Sequence, residues 1–129
     1  MKSIDQAKRI YELCVAKAKS RRPVTYGEVL DSLGYESGVS GHAIRYGLEL
    51  ALIACGMEGL PKLTSIVVNQ STGRATPGTI GPGADIQAEV DKVFEQQEWP
   101  PVTRIDWGFV WQNRRELSDT HGTPGYFGK

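Results

Sequence analysis

Histidine and cysteine are scarce in this chain, at two residues each. His42, His121, Cys14 and Cys55 are scattered and show none of the spacings of a zinc site. No metal and no cofactor is therefore expected. Each cysteine falls inside an apolar helical pattern, where a thiol that packs as a small hydrophobe is expected over a disulfide or a reactive nucleophile. Net charge is absent too: 15 basic residues balance 15 acidic ones, so no overall field draws the chain to nucleic acid or to an anionic membrane. The longest apolar run, Leu48 to Cys55, is interrupted by Glu49 and falls well below the roughly 18 residues of a membrane span. The opening Met1-Lys2-Ser3-Ile4-Asp5-Gln6 is polar where a signal peptide requires an apolar stretch. The expectation is a soluble protein of the cytoplasm with no membrane contact.

What is present suits one globular core. A chain of 129 residues with 40% hydrophobic and 23% charged side chains should bury roughly two-thirds of its unfolded surface. Residues 1–118 are read as a single domain, and 119–129, which lack periodicity, as a flexible tail. Charge is unevenly spread. Residues 1–22 carry Lys2, Lys8, Arg9, Lys17, Lys19, Arg21 and Arg22 against only Asp5 and Glu12. Residues 23–98 compensate with ten acids against Arg45, Lys62, Arg74 and Lys92. Such a block is either a solvated helix face or a surface turned toward a polyanion.

Ile4, Ala7, Ile10, Tyr11, Cys14 and Ala18 recur at helical spacing after a Ser3/Gln6 capping box, and Pro23 ends that helix. A second helix opens at Thr25-Tyr26-Gly27-Glu28, another capping box, buries Val29, Leu30 and Leu33, and closes at Gly34. The longest helix is expected over His42–Cys55, with Gly56 as its left-handed cap. Leu63–Val68 is β-branched and leads through a turn to Arg74-Ala75-Thr76, the pattern of a hairpin. Asp85 caps a further helix with Ile86, Val90, Val93 and Phe94 inward. Val102–Trp111 fits either a strand or packed coil. The fold class expected is α+β, a small helical domain with a β-hairpin.

Two helices, a turn, a longer third helix and a hairpin are the elements of a winged helix-turn-helix, whose third helix enters the major groove. Particular residues sharpen this. Val24-Thr25-Tyr26-Gly27-Glu28-Val29, then Gly41-His42-Ala43-Ile44-Arg45-Tyr46-Gly47-Leu48, then Leu63 to Gly73 with Ile66-Val67-Val68-Asn69 resemble the DNA-binding half of alkylguanine-DNA alkyltransferases and alkyltransferase-like proteins. The resemblance spans residues 23–78. In that family an arginine near the start of the third helix intrudes into the base stack, and a Pro-Cys-His-Arg motif precedes the Val-Val strand. Here Leu63, Thr64, Ser65 and Ile66 occupy the motif's four positions. Aligning Gly47 with the family's helix glycine puts Ile44 at the arginine position, with Arg45 one residue and about 100° further round the helix. The resemblance thus implies a fold relation and DNA as partner, without alkyl transfer. Cys55 also lacks a neighbouring base and sits where the helix dipole disfavours a thiolate.

The function expected is a non-catalytic binding module for DNA or nucleoprotein, with Ser40, His42 and Arg45 on the third helix and Arg74 on the wing as contacts. The alternative is a protein-interaction module of the immunity, antitoxin or adaptor kind, with Trp107 and Trp111 as anchors. The glycines and prolines of residues 77–83 lack a Gly-Lys-Ser/Thr ending and the Gly-x-Gly-x-x-Gly spacing of a phosphate cradle. Glu89, Asp91, Glu95 and Glu98 read as the solvated face of one helix.

Overall fold

The apolar stripe of the first segment forms one long helix, α1 (Lys2–Lys19), which buries Gln6, Ala7, Ile10, Tyr11, Cys14 and Ala18. The computed structural model of the chain describes residues 2–36, 38–73, 75 and 85–128. Gln6 is no cap: its amide donates to the Tyr35 hydroxyl. The chain leaves α1 through Arg21, held at a φ of 54°, and Pro23 blocks any return to the helix.

Strand β1 (Val24–Thr25) runs directly into α2 (Tyr26–Ser32). The Thr25/Glu28 capping box forms as its sequence dictates: the Thr25 hydroxyl accepts from the Glu28 amide at 3.1 Å, and the Glu28 carboxylate accepts from the Thr25 amide at 3.1 Å. That carboxylate also receives Lys17 Nζ at 3.0 Å, joining α1 to α2. Both interactions hold the Glu28 carboxyl below its ordinary pKa, the Thr25 amide more than Lys17.

The longest apolar segment begins as a 3-10 turn, Gly41–Ile44, and continues as α3 (Arg45–Met57). Ser40 caps the turn by accepting from the His42 amide at 3.1 Å. Every residue from Gly47 to Cys55 is buried, so α3 is the central element. It lies across α1 at Gly47, where a Cβ would stand 2.9 Å from Ile10 Cδ1 and 3.0 Å from Gln6 Cβ. Gly56 does not end the helix. It lets α3 approach a later helix, since a Cβ there would fall 2.7 Å from His121 Cβ.

Over Leu63–Val68 the structure departs from the expected strand. Leu63–Ile66 form a 3-10 turn, and only Val67–Val68 are extended, as β2. The turn is buried among α1, α3 and helix α4 (Ile86–Glu95), so tertiary packing overrides β-propensity here. β2 pairs in parallel with β1, Val24 opposite Val67 and Thr25 opposite Val68. That is the only strand pairing among the described residues, and of the expected hairpin only the first strand lies wholly within them. Of its second strand, Arg74 and Thr76 lie outside the described residues, as do residues 77–83.

Asp85 caps α4 as expected, accepting from the Ala88 amide at 3.1 Å. Residues 102–111 are mostly helical, with only Ile105 and Asp106 in irregular conformation. A 3-10 turn at Val102–Arg104 leads to α5 (Trp107–Gln112), capped by Asp106 through the Phe109 amide at 3.0 Å, and then to α6 (Arg114–His121). The molecule is a small α+β domain dominated by helices, and none of the described helices is long and apolar enough to cross a membrane.

Candidate functional site

An open cavity of about 780 Å³ lies where α2, Tyr35, Glu36, Gly38 and Val39, the 3-10 turn leading into α3, the loop after β2 and the C-terminal segment meet. Local capping builds its rim. Ser40 fixes the backbone of His42, and the His42 carbonyl accepts from the Arg45 guanidinium at 2.9 Å. The same guanidinium rests 4.4 Å from the centre of the Tyr46 ring, so Arg45 is held in place from two sides. Opposite, Gly41 admits the Tyr26 ring: a Cβ would stand 2.9 Å from Tyr26 Cδ1. Asn69 shapes the next wall by accepting from the Ser71 amide at 2.7 Å.

The C-terminal segment closes the groove. The Tyr126 hydroxyl donates to the Arg45 carbonyl at 3.1 Å, and burial pushes its pKa up to about 12, with Glu49 adding to the rise and Arg45 opposing it. Tyr126 is placed by Glu49 of α3, whose Oε2 accepts from Ser118 Oγ at 2.9 Å and from the Thr123 amide at 2.7 Å. Burial raises the Glu49 carboxyl pKa against those hydrogen bonds. Gly122 makes this clasp possible, since a Cβ there would sit 2.1 Å from Glu49 Oε2. Residues 119–128, unpatterned in sequence, thus carry the end of α6 and a segment packed on α3.

Of the residues expected at a DNA contact, His42 and Arg45 both line this groove. Ser40 is exposed beside them as the cap, and Arg74 lies outside the described residues. Ile44, at the position of the family's intruding arginine, is fully buried, which leaves Arg45 as the cation at the groove. Leu63, Thr64, Ser65 and Ile66, at the positions of the Pro-Cys-His-Arg motif, are all buried in the 3-10 turn. Cys55 is buried, and desolvation pushes its thiol up to about 12. Cys14 is raised further by the same cause.

Trp107 is buried and donates its indole N–H to the Val102 carbonyl at 3.0 Å. Its ring meets Tyr11 edge-on at 5.9 Å, so it belongs to the core and is not a free anchor. Trp111 is half-buried, against Phe127 and the Arg114 guanidinium. Sequence reasoning missed Tyr26, Tyr35, Asn69 and Tyr126 as groove residues. Only Tyr26 carried a signal, inside the Thr-Tyr-Gly-Glu helix start.

Chemically, the groove offers an imidazole, a guanidinium and three phenol rings, together with the carboxylates of Asp31 and Glu36. That set can stack planar groups and hydrogen-bond both donors and acceptors. No cluster of metal-ligating side chains occurs among the described residues. Comparison with known proteins finds no matching protein family, no matching curated protein and no matching solved structure.

Proposed function

We propose that the protein is a non-catalytic, cytoplasmic DNA-binding module that engages its ligand through the groove at the start of α3. The observation that carries this reading is the placing of His42 and a doubly held Arg45 beside Tyr26, Tyr35 and Tyr126 around one open cavity. A restrained guanidinium loses little side-chain freedom on meeting a phosphate, and tyrosine rings accept bases. The winged helix-turn-helix arrangement belongs to the same proposal, with α2 and α3 as the helix pair and Arg74 on the wing. So does a fold kinship with alkyltransferase-like proteins.

Asp31 and Glu36 on the groove oppose a polyanion, so attraction must come from a few cations. Anisotropy of labelled single- and double-stranded DNA at low and moderate salt tests this. Binding should weaken as salt rises, and replacing Arg45 and Arg74 by alanine should flatten that dependence by about two phosphate contacts. Absence of binding at low salt would refute the proposal. A protein-interaction module is the second reading, favoured by the exposure of Phe109 at 46% and of Met57 at 40%.

A further inference from the structure

A row of rings begins at the groove and leads away from it. Tyr46 meets Tyr126 edge-on at 6.2 Å and Phe127 at 5.3 Å, and Phe127 meets Trp111 edge-on at 6.3 Å. A guanidinium lies at each end: Arg45 is 4.4 Å from the Tyr46 ring centre, and Arg114 is 4.0 Å from that of Trp111 and 5.5 Å from that of Phe127. Each guanidinium gives one N–H to a backbone carbonyl, of His42 at 2.9 Å and of Trp111 at 2.8 Å. Neither is paired with a carboxylate among the described residues. Both are half-exposed, and Tyr46 is exposed at 38%.

This is more than the core requires. Rings that only fill an interior are covered, whereas Tyr46 is exposed and the other rings of the row are half-buried. Here two cations stand outside any ion pair among the described residues, and each rests against a ring. A ring-backed guanidinium can stack a base on its plane and bind a phosphate along its edge. Paired and stacked bases in a duplex present no free faces to such platforms.

We propose that Arg45 with Tyr46 and Arg114 with Trp111, bridged by Phe127, form a two-point path for a single-stranded nucleic-acid segment leaving the groove. The inference rests on the nucleic-acid reading of that groove and specifies its ligand as unpaired. Charge complementarity favours this ligand over a peptide, since the row offers cations and rings together.

The test uses the full chain with a labelled single strand of about 12 nucleotides and the duplex of the same sequence. The single strand should bind more tightly and quench tryptophan fluorescence. Trp111→Leu should abolish most of the quenching, and Arg114→Gln should weaken single-strand binding about tenfold, the order expected for one lost base platform. Arg45→Gln should weaken both ligands. Where Trp111→Leu unfolds the protein, as circular dichroism would reveal, Arg114→Gln decides. Wild-type affinity of Arg114→Gln for the single strand, with binding lost in Arg45→Gln, overturns the path and leaves the groove reading standing. Failure of both DNAs to bind at low salt overturns both readings, and passes Trp111 to the protein-docking reading.

Discussion

Replacing Glu49 by glutamine tests how the central helix holds the C-terminal segment. Glu49 is 1% exposed, accepts both of its hydrogen bonds through Oε2, and leaves Oε1 without a partner among the described residues. Burial raises its pKa, and the bonds from Thr123 and Ser118 and the charge of Lys62 oppose that rise without cancelling it. In the unfolded chain the carboxyl titrates near pH ~4.3. Between that value and the higher native one, the folded state keeps a proton that the unfolded state has released. Stability therefore falls as pH rises through this window, by about 1.4 kcal/mol for each unit separating the two pKa values. Below the window the contribution is fully present, and above it the loss is complete.

Glutamine has the same shape and cannot ionise. Its carbonyl can accept from Ser118 and Thr123, with the amide placed where Oε1 now lies unpartnered. Urea unfolding of both proteins between about pH 4 and pH 8 separates this group from all others, because the remaining titrations cancel in the difference. Glu49→Gln should gain on the wild type as pH rises, and the gain should then level off. A difference that stays constant would mean that the hydrogen bonds balance burial, and a wild type that gains on the variant would mean that they outweigh it.

Ile53, fully buried on α3, should cost about 2–5 kcal/mol when cut to alanine, whereas Leu48→Ala should fall at the lower end because Leu48 also lines the open groove. Chemical denaturation checks both, and a loss below about 0.5 kcal/mol for Ile53 would contradict a central α3. Gly47→Val should destabilise by roughly 1–3 kcal/mol, because its Cβ would press on Ile10 and Gln6; an unchanged melting temperature would show that α1 and α3 do not cross there. Incubation with alkylated-guanine DNA should leave both thiols unmodified, since burial pushes Cys55 up to about 12 and Cys14 higher still. Stoichiometric transfer to Cys55, read by intact mass, would overturn that.

Signals confined to a few residues proved readable. The Thr25/Glu28 box and the Asp85 cap act within one helical turn, the α1 stripe repeats at one-turn spacing, and each forms. Leu63–Val68 was misread because β-branching describes a preference, while contact with α1, α3 and α4 decides the backbone. Asp106 ahead of Trp107, Val110 and Trp111 was a legible helix start, obscured by Gly108 and by aromatics that suit strands equally well. Gly56 looked like a terminator for local reasons, yet its smallness serves His121, 65 residues further along the chain.

The groove divides along the same line. His42 and Arg45 stand at a helix start and could be found from sequence, but Tyr126 reaches Arg45 across 81 residues. Glu49, which looked like a mere break in an apolar run, is what fixes that reach. Charge is where distance matters most. The basic excess of residues 1–22 suggested a polyanion-facing surface, yet none of those seven cations lines the groove. Lys17 is taken by Glu28, and Lys8 borders a separate recess with Arg104. Among the described residues, a phosphate at the groove would be met by Arg45 with His42, opposed by Asp31 and Glu36. Long-range steering is weak under those conditions. Selectivity must then come from short-range stacking and hydrogen bonding, which favours a ligand whose bases are accessible over one that offers phosphates alone.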